Sequence, residues 1–219
     1  MKTTKKALLL TLCAVLLVAA SVLGTMAYLT STDEVQNTFT VGQVKITLDE
    51  AKVNPDGTLV YKEDGQTPVD RVSTNSYKLL PGHTYAKDPM VTVLNGSEAS
   101  YIKMTVTFSK ASALDAIFAP TGADLTSIFN GYDSTNWIYK DNTKDATADT
   151  RTYEFWYKET VGAPTADVAL DALFDSITVP GSITNEQLAT IEGMTITVNA
   201  YAIQADGFDN AEAAWAAFN

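Results

Sequence analysis

The sequence predicts an all-β chain: an antiparallel β-sandwich with short helical insertions and a C-terminal helix. Three observations point there. Short stretches alternate apolar and polar residues, as 101–108 does with Ile102, Met104, Val106 and Phe108 on one side and Lys103, Thr105 and Thr107 on the other. Turn chemistry recurs between them, at Asn54-Pro55-Asp56-Gly57, Pro81-Gly82, Asn95-Gly96-Ser97 and Asp206-Gly207. Helical periods are brief and sit between the strand segments or after them. A period of two buries one face of a strand, and many such strands separated by turns pack as facing sheets. No repeat of solenoid length is present.

The elements follow in order. Val44, Ile46 and Leu48 alternate with Lys45, Thr47 and Asp49, which predicts a half-buried strand over 38–48. In the 54–57 turn, Pro55 sets one φ and Gly57 supplies a positive one. Leu59-Val60-Tyr61 then reads as the returning strand of a hairpin, and 65–76 as a polar loop. After Pro81-Gly82, Met90–Val93 is a strand. Asn95-Gly96 between alternating runs predicts a hairpin joining it to 101–108. Leu114, Ile117 and Phe118 give a short amphipathic helix over 113–118, stopped by Pro120. Leu125, Ile128 and Phe129 repeat that spacing once.

Trp137-Ile138-Tyr139 reads as a short strand and 141–149 as a polar loop. Over 152–158, Tyr153, Phe155 and Tyr157 oppose Glu154, Trp156 and Lys158, the pattern of another strand. Val168, Leu170, Leu173, Phe174 and Ile177 fit a helix or an irregular apolar segment equally well. Ile196, Val198, Ala200 and Ala202 make 194–203 the clearest late strand. Asp209 with Glu212 reads as a capping box opening a terminal helix, with Ala211, Trp215 and Phe218 on its docking face.

Composition narrows the function classes. The 219 residues include 15 basic and 26 acidic side chains, a net charge of −11, and 46% are hydrophobic. That is a globular composition. Its acidity argues against nucleic acid as a partner and against anionic lipid, both of which demand a basic face. The single cysteine, Cys13, allows no intrachain disulfide and no cysteine-rich zinc site.

Cys13 lies inside a targeting segment. Lys2, Lys5 and Lys6 precede an uncharged run of 17 residues, Ala7 to Leu23. Thr25 and Ala27 then take the small-residue spacing that signal peptidase reads, with Tyr28 as the first mature residue. Residues 1–27 are therefore expected to be a signal peptide and 28–219 a single exported domain, secreted or held at the cell surface. An uncleaved membrane anchor is the competing reading.

Candidates for chemistry are few. His83 is the only histidine and follows a Pro-Gly turn, so no His-Glu-x-x-His motif and no serine-histidine pair beyond it can be built. Asp141, Asp145 and Asp149, spaced by four, lack the alternating ligands and central glycine of a calcium loop. Tyr153, Phe155, Trp156 and Tyr157 offer either a sugar-stacking face or, more simply, core and cross-strand pairs. No enzyme activity, metal or cofactor is expected.

One resemblance stands out. Gly24-Thr25-Met26-Ala27-Tyr28-Leu29-Thr30-Ser31-Thr32-Asp33 resembles the signal-peptide junction of Gram-positive proteins processed by SipW-type signal peptidases. Asn37-Thr38-Phe39-Thr40-Val41-Gly42 with Val44-Lys45-Ile46 resembles the first strand of the same proteins. Leu80-Pro81-Gly82 through Lys87-Asp88-Pro89, then Asn95-Gly96-Ser97 and Ala99 to Lys103, resembles a further segment of theirs. The family is that of TasA and camelysin. Leu29 and Ser31 depart from its usual Phe and Asp, and 110–190 matches no part of it. The resemblance implies a jelly-roll-like sandwich, export by a SipW-type peptidase and assembly into extracellular biofilm-matrix fibres, with accessory matrix proteins as further partners. Some members are described as metallopeptidases, which the residue inventory here disfavours.

The residues themselves suggest a route to fibres. Residues 28–38 are polar and threonine-rich, with Thr30, Thr32 and Thr38 favouring an extended arm. Val35 and Phe39, four apart, share one side of such a strand. Freed by cleavage, the arm is a candidate to complete the sheet of a second copy.

Overall fold

Lys103 to Ser109 alternate strictly between buried and half-buried positions, and the structure shows why. It is a computed structural model that describes residues 6, 12–17, 42–118 and 125–218. The chain divides into two compact units, 1–41 and 42–219. In the first, residues 12–17 are helical (α1). Among the described residues no helix is long and apolar enough to cross a membrane. The second unit carries β1 (Ile46–Asp49), β2 (Thr84–Ala86), β3 (Met90–Val93), β4 (Ser100–Ser109), α2 (Ala111–Phe118), β5 (Trp137–Asp145), β6 (Thr150–Tyr157), β7 (Val168–Ala169), β8 (Ser176–Thr178), α3 (Asn185–Thr190), β9 (Ile196–Gln204) and α4 (Ala211–Ala217).

All pairings are antiparallel. One sheet has the order β5-β6-β4-β9, a second β1-β3-β7, and β2 pairs with β8 alone. The fold is thus all-β with short helices, as expected. Ile102, Met104, Val106 and Phe108 of β4 share one core with Val91 and Val93 of β3, with Ile46 and Leu48 packed against them. Each inward β4 side chain is at most 1% exposed, worth about 1.5–3 kcal/mol apiece relative to exposure. Phe129 sits amid rings, with centroids 4.6 Å from Phe174, 5.2 Å from Tyr153 and 5.8 Å from Phe155. A smaller cluster gathers Tyr85, Val179, Ile183 and Ile191.

Several expectations need correction. Asn95-Gly96 does not close a hairpin, because β3 and β4 belong to different sheets. Gly96 does take its positive φ of 77°. The flanking residues find other partners: the Leu94 amide donates to Lys45 and that of Ser100 to Val161. The turn therefore carries the chain across the sandwich, and both strands keep their apolar face on the core. The expected 141–149 loop is strand as far as Asp145, paired with β6 down to Asp145↔Thr150. The ladder overrides the poor strand propensity of 141–145, and only 146–149 turn.

β1 begins at Ile46, not 38. The Lys45 amide donates to the Ser97 hydroxyl (3.0 Å) in place of a strand partner, and 38–41 lie outside the described residues. Leu59 and Tyr61 form isolated bridges to Val53 and Pro68 where a regular strand was expected. The 54–57 turn itself is as expected, with the Gly57 amide donating to Asn54 (2.9 Å) at φ 86°. The ambiguous 168–177 segment is not helical: it holds β7 and the start of β8, with 170–175 irregular between them. The terminal helix is capped by Asn210, which accepts from the Ala213 amide at 2.8 Å, and not by Asp209. Asn210 carries the extended backbone that lets a side chain fold back onto the third helical amide.

Candidate functional site

The order β5-β6-β4-β9 leaves β5 and β9 at the edges of the larger sheet. The Ser109 amide donates to Thr195 (3.0 Å) and the Ala205 amide to Ala99 (2.7 Å). Odd-numbered residues of β9 therefore turn their backbone groups to β4. Ile196, Val198, Ala200 and Ala202 turn theirs outward, while their side chains pack on the core. Among the described residues these four have no backbone partner on that side. The open run, Ile196 to Ala202, spans about 20 Å at ~3.3 Å per residue.

The other edges are blunted. β5 carries Lys140, Asp141, Lys144 and Asp145, with a register shift between Tyr139 and Asp141. Charge and bulges are the usual protection of an edge. β7 is two residues long. β1 turns the backbone groups of Ile46 and Leu48 away from β3, but at Glu50 that side is taken by Val72, through bonds of 2.9 and 2.8 Å. β9 alone among the described edges is long and carries no charge.

Beside β9 lies a cleft of about 1120 Å³. One wall is the end of β1 and residues 72–79. The other runs from Leu188 through Ile191 to Val198. Lining it is a buried ion pair: Lys87 Nζ donates to Glu50 Oε2 at 2.5 Å, with the two residues 6% and 7% exposed. Asn75 donates to Glu50 Oε1 (3.0 Å) and to the Ala51 carbonyl (2.9 Å), and accepts from the Val53 amide (3.0 Å). Tyr77 donates to the Ala86 carbonyl at 3.2 Å. Burial, reinforced by the Glu50 charge, pushes its phenol far above the usual range.

Arg71 holds β1 to the start of β3. Its guanidinium reaches the Asp49 carboxylate at 2.5 Å, the Asp88 carboxylate at 2.8 Å and the Asp88 carbonyl at 2.7 Å. Burial works against the cation, but the bonds to Asp88 and Asp49 outweigh it and raise the Arg71 pKa. Asp88 also accepts from the Ala51 amide at 2.7 Å. The Lys87-Asp88-Pro89 stretch, noted in the sequence only through a resemblance, is thus an anchor point of this region.

The cleavage residues Thr25, Ala27 and Tyr28, and the arm residues Thr30, Thr32, Val35, Thr38 and Phe39, all lie outside the described residues. His83 is exposed on its turn. Asp141, Asp145 and Asp149 each accept from nearby backbone amides, of Asn142, of Thr147 and Ala148, and of Ser112 respectively. Among the described residues no three His, Cys, Asp or Glu side chains converge as a metal site. Tyr153 and Phe155 belong to the core, while Trp156 packs against Trp215. Sequence reasoning missed Glu50, Asn75 and Lys87. Their separations of 25 and 37 residues from Glu50 carry no periodic signal.

No family model matches the chain, and neither does any curated protein or any solved structure.

Proposed function

We propose that this chain is an exported structural subunit that assembles head to tail into extracellular fibres. Residues 28–38 of one copy add as a strand to β9 of the next. The observation that carries the reading is the uncharged edge from Ile196 to Ala202. Its outward backbone groups lack partners among the described residues, whereas β5 at the opposite edge is charged and bulged. Unpaired edges are templates for a further strand, and main-chain bonds across them contribute about 0.5–1.5 kcal/mol each net. Such a contact joins two different surfaces, so it need not close on itself and extends into filaments. The signal-peptide junction and the TasA/camelysin resemblance fit the same reading, in which a SipW-type peptidase frees the arm.

The test is filament formation by the mature chain, followed by light scattering and electron microscopy. Deleting 28–38 and, separately, substituting Ala200→Pro are expected to abolish filaments. Ala200 directs its amide away from β4, so proline there blocks an incoming strand without removing a bond of the existing ladder. Filaments unchanged in both variants would refute the assembly. A folded wild type that stays monomeric would point instead to a cell-surface adhesion module.

A further inference from the structure

Glu50, Asn75 and Lys87 come from three separate segments and meet in the wall of the cleft. The Glu50 carboxylate bridges the other two, taking Lys87 Nζ on one oxygen at 2.5 Å and Asn75 Nδ2 on the other at 3.0 Å. Lys87 and Glu50 are almost wholly withdrawn from water. An amine and a carboxylate withdrawn from water, with a half-buried carboxamide bonded to that carboxylate, are the groups needed to exchange one amide for another. We infer that Lys87 and Asn75 become joined by a side-chain amide bond, formed by the folded chain itself with Glu50 relaying the protons.

The chemistry balances without any other reactant. The Lys87 ammonium passes a proton to Glu50 Oε2. The neutral Nζ attacks Asn75 Cγ, and the new C–N bond forms as the carbonyl becomes tetrahedral. Nζ gives up a second proton, the Cγ–Nδ2 bond breaks, and Nδ2 departs protonated as ammonia. Ammonia takes the remaining proton from Glu50 and leaves as ammonium, which returns the carboxylate to its starting state. Nothing is oxidised or reduced.

The surroundings suit each step. Asn75 is held at both ends of its amide, with Nδ2 on the Ala51 carbonyl and Oδ1 on the Val53 amide. That Val53 N–H is placed to stabilise the oxygen as it gains negative charge. The Lys87 backbone is pinned by its amide donating to Asp175 at 3.0 Å, so only the side chain need swing for Nζ to reach Cγ. Fixing both partners in one site is what makes an otherwise slow aminolysis proceed. The product ties residues 72–79, a wall of the cleft, to the segment between β2 and β3.

The test is a tryptic map of the purified wild-type chain. Trypsin cuts after Arg71, Lys78 and Lys87, so an unlinked chain yields peptides 72–78 and 79–87. Acylation of Lys87 removes the charge trypsin requires. The expected product is 72–78 joined to 79–103, lighter by one ammonia than the two peptides together. Glu50→Gln, Asn75→Ala and Lys87→Arg are each expected to abolish it. Free 72–78 and 79–87 as the main wild-type products would overturn the inference, whether or not the variants fold. A linked wild type whose bond survives in Glu50→Gln would overturn the role given to Glu50.

Discussion

Lys103 holds its ammonium 4.7 Å from the centre of the Trp215 ring, joining the outer face of β4 to the terminal helix α4. Tyr201 and Phe218 offer their rings to the same cation at 5.5 and 5.4 Å, and Glu154 lies 3.6 Å away. The terminal helix is thus seated by an aromatic residue over a lysine stem, with Trp156 packed alongside at 6.2 Å.

Trp215 is 7% exposed, and its indole N–H finds no hydrogen-bond partner among the described residues. Its contribution therefore comes from the ring. Trp215→Ala is expected to cost about 3–5 kcal/mol, and Trp215→Phe far less. Urea unfolding of the two variants measures the difference. Equal losses would show that the N–H matters after all.

The cap of α4 is testable by the same means. Asn210→Ala is expected to cost about 0.5–2 kcal/mol, because it leaves the Ala213 amide without its acceptor. Asp209→Ala is expected to change stability little. Thermal melts of the two variants side by side would expose a reversed order.

Asp115 ties α2 to the β5–β6 hairpin. Its carboxylate accepts from Arg151 at 2.8 Å and Lys144 at 2.9 Å. Burial alone would raise its pKa, but the Arg151 and Lys144 bonds reverse this and hold it below the ordinary 3.8. With the folded pKa below the unfolded one, its stabilisation is complete above the unfolded value and drains away as pH falls through the folded one. Asp115→Asn is therefore expected to lower stability at neutral pH and to flatten its decline below about pH 4. Denaturant midpoints measured from pH 7 down to pH 2 check this; a variant with an equally steep acid limb would contradict it.

Phe129 places its ring centroid 5.9 Å from that of Phe108, 5.2 Å from Tyr153, 5.8 Å from Phe155 and 4.6 Å from Phe174. It belongs to an irregular turn, yet it is 1% exposed. Phe129→Ala is expected to cost about 3–5 kcal/mol through the cavity it leaves, and Phe129→Leu clearly less. Guanidinium unfolding gives both values.

Much of this architecture was legible residue by residue. Alternation located β3, β4, β6 and β9, and the turns at Gly57, Gly82 and Gly96 all show the positive φ their chemistry demands. These are local properties, since a period of two and a left-handed glycine are each written in a few consecutive residues. The capping box of α3, in which Thr184 and Gln187 bond reciprocally, is equally local.

Strand partnership was not local. Whether Asn95-Gly96 closes a hairpin depended on Lys45, some fifty residues earlier, which takes the Leu94 amide and the Ser97 hydroxyl. Asp141 to Asp145 became strand because β6 offered a ladder, against their own preference. Local alternation alone was enough to locate β3, β4, β6 and β9 and to say which face of each is apolar. Which edge stays open, and which lysine, glutamate and asparagine meet in the cleft wall, was settled by packing between distant segments. Edges and buried contacts are set by the order in which distant segments pack, and that order leaves no mark on any short window of the chain.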